Sequence, residues 1–407
     1  MRKSSVFVVF LTVFIDLLGF GMVVPLLAQY ARHYGASSFE AGLLVASYSL
    51  AQFFFAPMWG HLSDRIGRKP VLAFTLAGNV LAYGLYALSG SLTMLFFSRS
   101  LSGFFGANIS TAQAYVADVT TPETRAKGMG MIGMAFGLGF VLGPAMGGPL
   151  GKYVGVWAPG AAAALLSAIA CFVAVTKLPE SLTPELRAKA QARSGHPIFA
   201  LKAALTRKEL AGLLGLFFFL VFGFANLESM LPLFLSDRYG FDEAHTGYVF
   251  AYIGVCIAFV QGFLLGRLVK RYGEARLLIL GAALLALGMQ LYWLAPSLPF
   301  YLLCVPVVAL GMGLSKPCVA TLIRRRTPPE IQGRTLGLSQ SLGALARAIS
   351  PGLAGWLYGR FSRADGSIVP FLWGGALVLV GLWVGLPTLR GGPEAKGAAP
   401  AASPPTA

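Results

Sequence analysis

The stretch Gly60-His61-Leu62-Ser63-Asp64-Arg65-Ile66-Gly67-Arg68-Lys69 is a short charged loop between two long apolar segments. A degenerate copy, Gly266-Arg267-Leu268-Val269-Lys270-Arg271-Tyr272-Gly273, follows about 206 residues later. Reuse of one polar hairpin between apolar runs marks a chain assembled as two related helix bundles, a construction that recurs in membrane proteins that move solutes.

The rest of the chain fits that architecture. Of 407 residues, 56% are hydrophobic and only 12% are charged, with a mean hydropathy of +0.70, a balance unsuited to a water-covered surface. Apolar runs long enough to cross ~30 Å of hydrocarbon fall near residues 6–30, 39–59, 71–89, 92–117, 127–150 and 158–176. A second set falls near 210–235, 245–265, 276–295, 299–322, 333–358 and 368–388. Each exceeds the roughly ten residues of a barrel strand, and none alternates polar with apolar, so helices must satisfy their backbones. The expected fold is an all-α membrane protein of twelve transmembrane helices in two pseudo-symmetric six-helix bundles.

The formal net charge of +16 could indicate nucleic acid, but its placement argues otherwise. With a cytoplasmic N-terminus, about 24 of the 32 Lys and Arg fall in cytoplasmic segments, about 5 in external loops and about 3 within helices. Positive-inside bias therefore accounts for the charge, and both termini are expected in the cytoplasm. The domains read as 1–176, a first bundle; 177–208, a basic, solvated and partly helical cytoplasmic linker; 209–390, a second bundle; and 391–407, a Gly/Pro/Ala-rich tail expected to be disordered. Arg2 and Lys3 before an apolar run resemble a signal peptide, yet the run is about 25 residues long and further spans follow, so a retained first helix is expected. Cys171, Cys256, Cys304 and Cys318 all fall inside spans without metal-ligand spacing and read as packing residues.

The internal repeat extends beyond the loop. At an offset of 207, Pro25 meets Pro232, Gly106 meets Gly313, Pro122-Glu123 meets Pro329-Glu330, Gly130 meets Gly337, Pro144 meets Pro351 and Gly148 meets Gly355. An even number of helices per half gives both halves the same orientation, related by an axis along the membrane normal.

Over nearly the whole chain apart from linker and tail, the sequence resembles the major facilitator superfamily. The loop from Gly60 to Lys69, including Gly60 and Gly67, is similar to that family's hallmark cytoplasmic motif between helices two and three. The resemblance implies that Asp64, Arg65 and Arg68, with Asp118 at the end of helix four, form a charge network closing the cytoplasmic side in the outward-open state. The chemistry suits the role, because a carboxylate at a helix terminus accepts backbone N–H groups while guanidinium groups bridge helices. In the second copy Lys270 stands in place of the acid, so any equivalent gate there must differ.

Helix five carries Gly137-Leu138-Gly139-Phe140-Val141-Leu142-Gly143-Pro144-Ala145-Met146-Gly147-Gly148, which resembles the glycine-proline motif of the superfamily's antiporters. Glycines four apart admit close helix approach, and the proline bends the span. Tight packing alone is the competing reading. In the second half Ala344, Ser350 and Ala354 replace Gly137, Gly143 and Gly147 while Pro351 remains, an asymmetry that favours an export role for the first-half string.

Two soluble-enzyme motifs nearly occur. Gly128-Met129-Gly130-Met131-Ile132-Gly133 fits GxGxxG but opens a membrane helix with no strand before it, and Gly151-Lys152-Tyr153 lacks both the first glycine and the hydroxyl of a phosphate loop. There is no HExxH, paired Cys-x-x-Cys or nucleophile elbow, so neither an enzyme nor a cofactor is expected, and transport energy must come from an ion or solute gradient.

Five ionisable residues lie well inside the spans: Asp16, Arg99, Glu228, Lys316 and Arg347. Burying such a charge costs from ~3 to above 10 kcal/mol. Asp16 sits in Ile15-Asp16-Leu17-Leu18-Gly19-Phe20-Gly21-Met22-Val23-Val24-Pro25, which resembles helix one of the twelve-span drug/H+ antiporters, tetracycline exporters among them. Asp16 and Glu228 are the expected proton carriers, with a structural ion pair as the competing role. Arg99, in Arg99-Ser100-Leu101-Ser102-Gly103-Phe104-Phe105-Gly106, resembles the family's helix-four arginine, implied to tune the proton site; a fixed salt bridge is the alternative. Helical spacing places Arg99, Gly103, Gly106, Ser110 and Gln113 on one face, a polar stripe suited to a water-filled cleft. Asn226 and Glu228 are two residues apart and face different ways, and Glu228 is expected to line the cavity. The expected substrate cavity is therefore Asp16, Arg99, Gln113, Glu228, Lys316 and Arg347.

Three interior bases against two acids complicate export of organic cations and keep anionic or zwitterionic cargo open. The expected function is a proton-coupled multidrug-type antiporter of small amphipathic compounds, working by alternating access as a monomer in the bacterial plasma (inner) membrane. Its partners are a small-molecule substrate, protons and membrane lipid, without nucleic acid. The nearest alternative is a same-fold transporter or flippase of a lipid, sugar or organic anion. A non-transporting membrane receptor is a remote one, predicting no solute flux.

Overall fold

The computed structural model describes residues 3–106, 108–183, 208–295, 297–327, 332–361 and 368–390. It is helical throughout those residues. The first bundle comprises α1 (Lys3–Val23, continued through a 3₁₀ turn at Val24–Leu26 into Leu27–His33), α2 (Ser38–Ile66), α3 (Arg68–Ala87), α4 (Leu92–Phe105 and Asn108–Val119), α5 (Pro122–Tyr153) and α6 (Ala158–Lys177). The second comprises α7 (Lys208–Tyr239), α8 (Glu243–Phe259, a π turn at Val260–Leu264, then Leu265–Tyr272), α9 (Glu274–Leu294), α10 (Leu298–Arg326), α11 (Gln332–Arg360) and α12 (Val369–Arg390). The linker from 184 to 207 and the tail from 391 to 407 lie outside the described residues.

Ten of these helices are long and apolar enough to cross a membrane. The remaining two are α4, which is interrupted beside Gly106, and α11, which carries Arg347 and several hydroxyl and amide side chains mid-helix. Both are paired along their length with apolar neighbours, and together the set makes twelve membrane helices. Large apolar side chains such as Phe54, Phe74, Phe172, Phe263 and Trp383 stand exposed around the outside, as lipid-facing residues should.

The short connections are encoded locally. Ser37 caps α2 by accepting the Glu40 N–H, while Glu40 returns a bond to the Ser37 backbone. The α2–α3 loop turns at Gly67, whose φ of +118° disfavours a side chain, and its second-half counterpart Gly273 has φ +76°. The repeated glycine in the two loops thus has one backbone cause.

We call the face where α1 begins the near face and its opposite the far face. The bundles meet along two helix pairs, α2 with α11 and α5 with α8, while α1 approaches α7. On the far halves these pairs touch backbone to backbone: Gly42 meets Pro351, Gly355 meets Ser38, and Gly148 meets Gly247. On the near halves of the same helices, Gly60, Gly130, Gly133, Gly262, Gly266 and Gly337 have no atom within 4 Å of where a Cβ would stand. The two bundles are joined at the far face and diverge toward the near face, leaving a cleft that opens there.

Candidate functional site

Around the first-bundle half of the cleft, a polar cluster is packed behind aromatic rings. Asp16 of α1 is 7% exposed and its Oδ1 accepts from the Asn79 amide of α3 at 2.9 Å. Arg99 of α4, 1% exposed, lies with its guanidinium carbon 4.8 Å from the Tyr48 ring centroid and 5.8 Å from that of Phe20. Its Nε and Nη1 have no hydrogen-bond partner, so aromatic faces rather than a carboxylate hold this cation. Asp16, Arg99, Tyr48 and Tyr83 all act electrostatically on one another's surroundings.

This arrangement corrects the expected helix-four stripe. Gly103 and Gly106 do not border water; a Cβ on either would strike Tyr48, at its backbone carbonyl or its hydroxyl. The glycines instead let α2 approach α4 and seat Tyr48 over Arg99. The helix is also interrupted after Phe105, so Ser110 and Gln113 belong to a separate segment; Gln113 is half-buried and Ser110 exposed. Asp16 and Arg99, expected to line the cavity, are enclosed in this structure.

The second bundle supplies the accessible charges. Lys316 on α10 is solvent-exposed although surrounded by protein, and Glu228 on α7 and Arg347 on α11 are half-buried. The three lie within electrostatic reach of one another. Arg347 Nη2 reaches across to Gln52 Oε1 of α2 at 3.5 Å, and Gln52 Nε2 in turn donates to the Gly106 carbonyl oxygen at 3.2 Å. Asn226, two residues before Glu228, is fully buried.

At the near face Arg68 is the hub. Its guanidinium binds Asp64 at 2.6 Å, Asp118 at 3.2 Å and the Ser63 hydroxyl at 2.6 Å. Arg65, expected in this network, is exposed and stands outside it, because on α2 it points away from the Asp64 and Ser63 side. A residue not anticipated from the sequence, Glu180, completes the cluster: its carboxylate accepts the N–H groups of Arg68, Lys69, Ser181 and Leu182 at 2.9–3.1 Å. It caps the start of α3 and ties the chain after α6 to the loop. All these contacts lie within the first bundle. In the second bundle Glu274, opening α9, binds Arg325 at the end of α10 at 2.9 Å. Arg325 stands 207 positions after Asp118, so the second half keeps the bridge with its charges exchanged.

At the far face the bridges cross between bundles. Arg32 of α1 grips Asp237 of α7 through two bonds of 2.5 and 3.1 Å, and Tyr358 of α11 donates to the same carboxylate at 2.7 Å. Lys152 of α5 pairs with Asp242, the N-cap of α8, at 2.5 Å. Burial pushes the Asp242 carboxyl up, but the His245 backbone N–H and the Lys152 ammonium outweigh it and hold its pKa at about 2. Gln29 adds bonds to the Phe241 carbonyl and the Thr246 hydroxyl.

The glycine-proline string of α5 serves both kinds of interface. Gly139, Gly143 and Gly147 pack against Leu17, Gly21 and Met22 of α1, Gly148 and the Pro144 carbonyl pack against α8, and Gly137 faces open space. The four cysteines are free thiols, and no His/Cys/Asp/Glu group able to hold a metal occurs among the described residues.

A pair of helix bundles enclosing a mid-depth charged cleft, joined at one face only, defines a transport protein rather than an enzyme. The chain belongs to the Major Facilitator Superfamily, whose sequence profile matches residues 9–351 and again 217–406. It is 31% identical to the tetracycline resistance protein, class C, of Escherichia coli, over 96% of this chain and 98% of that one. It is 32% identical to major facilitator superfamily domain-containing protein 10 of Bos taurus, over 86% of this chain and 87% of that one. Among solved structures, the human organic anion transporter MFSD10 (TETRAN) superposes with a TM-score of 0.71 at 29% identity, covering 94% of this chain and 99% of that chain.

Proposed function

We propose that this chain is a proton-coupled exporter of small amphipathic compounds, acting as a monomer by alternating access. Both termini would lie in the cytoplasm of a bacterial plasma membrane, which makes the near face cytoplasmic and the structure an inward-open one. The observation that carries the reading is Asp16: a carboxyl in the middle of a membrane helix, 7% exposed, bonded by the Asn79 amide and set beside Tyr48 and Tyr83. Placing a fixed charge there costs several kcal/mol, and a group that can shed its charge by taking a proton avoids that cost. Glu228, half-buried at the cleft, is the second candidate carrier. Kinship with tetracycline resistance proteins supports drug-like cargo, and kinship with an organic anion transporter supports an anionic one.

Arg99 lies where it can stabilise the ionised form of Asp16, and Gln52 links the Arg347 side of the cleft to the Tyr48 side. Protonation of Asp16 would remove the negative member of this buried cluster and weaken the hold of the first bundle's aromatic wall. The test is solute uptake into inside-out vesicles with an imposed pH gradient. Asp16→Asn and Glu228→Gln should each abolish gradient-driven uptake while leaving protein in the membrane. Undiminished uptake in both variants would refute proton coupling through these groups.

A further inference from the structure

Among the described residues, several charged side chains that cross between helices are closed into pairs. Arg32 meets Asp237, Lys152 meets Asp242, Arg68 meets Asp118 and Arg325 meets Glu274. The mid-depth cluster of the second bundle is built differently. Glu228, Lys316 and Arg347 come from three helices and feel one another's charge, yet none of them forms an ion pair within 4.0 Å among the described residues. Arg347 reaches the opposite bundle through the long contact to Gln52.

Two cations against one anion leave one surplus positive charge, and the geometry places it at the surface of the cleft. Lys316 is exposed to solvent while embedded in the protein's interior, so its ammonium points into the opening rather than to lipid. Arg99, by contrast, is covered by Tyr48 and Phe20 and is not accessible to cargo. Beside Arg347, the buried ring of Phe217 packs at Gly343, so the guanidinium sits at the edge of the apolar core. A guanidinium and an ammonium flanking an apolar surface are the donor set for an amphipathic molecule that ends in a carboxylate: the guanidinium offers two parallel N–H groups and the ammonium a point charge. From this we infer that Lys316 and Arg347 form an anion subsite for the acidic end of the cargo, with Glu228 offsetting one of the two positive charges.

The inference rests on the transport reading of the cleft but not on proton coupling, and equilibrium binding separates the two. Purified full-length protein is titrated with 1-naphthaleneacetate and with the uncharged, nearly isosteric 1-naphthaleneacetamide. The acid should bind at least ~10-fold more tightly than the amide, and Lys316→Gln and Arg347→Gln should each cost the acid about 10- to 100-fold. Both variants should weaken acid binding far more than amide binding, so that the preference for the acid collapses while residual amide binding shows the cleft intact, and Lys316→Arg should retain most of the acid's affinity. Glu228→Gln should strengthen acid binding, a gain that misfolding would not produce. Equal affinity of wild type for acid and amide, failure to bind the acid, or variants that bind it as wild type does would overturn the subsite. Intact acid binding together with a failed proton-gradient test would instead remove the coupling proposal and leave the subsite standing.

Discussion

The carbonyl oxygen of Pro144 in α5 lies directly against Gly247 of α8, so that a Cβ on the glycine would overlap it. The pseudo-symmetric contact sets the Pro351 carbonyl of α11 against Gly42 of α2. These two pairs are where the far halves of the bundles join, and no side chain intervenes to absorb an added atom. Gly247→Ala should therefore disfavour far-face closure by about 1–3 kcal/mol, enough to move much of the population to a far-face-open state. Spin labels at exposed Leu88 and Ser297 would report a longer distance across that face, and transport should fall. An unchanged distance would show that the helices slide past the added methyl.

The ion pairs beside those glycines give the far face a defined response to acid. Asp242 is faced by Lys152 of α5 and by His245 of its own helix, while Glu243 acts on Lys152. Its folded pKa, about 2, lies below the ordinary aspartate value near ~3.9. A lowered folded pKa means the contact contributes fully above ~4 and is lost as pH falls from there toward 2. Acidifying the far side from pH 7 to pH 5 should leave the Leu88–Ser297 distance unchanged, with opening only below about pH 4. Release at pH 6 would mean that another group controls this latch.

Much of the architecture was legible because lipid imposes it. Twelve apolar runs, the repeated loop and the 207-residue register follow from backbone satisfaction in hydrocarbon and from duplication, and most helix ends lie close to the expected spans, although α2 and α8 run on to Ile66 and Tyr272, past the expected ends at 59 and 265. Family resemblance grouped Asp64, Arg65, Arg68 and Asp118; that Arg68 sits between Asp64 and Asp118 while Arg65 stands outside depends on packing that the loop's sequence does not record. Glu180 was not legible either, because its function depends on four backbone N–H groups brought together by the chain after α6, which no local pattern records. Asn79 escaped for a similar reason: a single amide in an apolar helix is unremarkable until Asp16 is seen against it. The helix-four stripe misled because spacing shows which residues share a face but not whether that face meets water or, as here, a tyrosine from α2.

Asn79 has a second property that bears on Asp16. Its Nδ2 donates to the carboxylate, while its own Oδ1 is buried without a partner. The same amide can therefore serve either protonation state, donating to the ionised carboxylate through nitrogen or accepting from the protonated carboxyl through oxygen. Asn79→Leu removes both options and leaves the ionised form without its donor, a loss of about 1.5–3 kcal/mol for a bond to a charged group. The pH at which uptake into proteoliposomes is half-maximal should move upward by about one to two units, whereas Asn79→Gln should shift it less. A pH profile unmoved by Asn79→Leu would show that the amide is a packing residue only.

The exchanged charges of the two near-face bridges permit a test of whether they do equivalent work. In the first bundle the base opens α3 and the acid ends α4, as Arg68 and Asp118; in the second the acid opens α9 and the base ends α10, as Glu274 and Arg325. If the bridge only braces neighbouring helices, the sign at each end is immaterial and the pair can be reversed. Glu274→Arg alone sets two cations together beside Arg325 and should lower transport several-fold, while adding Arg325→Glu should restore most of it. The first bundle differs, because Arg68 also holds Asp64 and Ser63 and its backbone N–H is bound by Glu180. Reversing Arg68 and Asp118 together should not restore transport, since a carboxylate at position 68 would face Asp64 and lie near Glu180. Vesicle uptake by the two double variants, with protein level measured in the same membranes, decides the point. Equal rescue in both halves would show that the first-bundle network is a simple brace like the second.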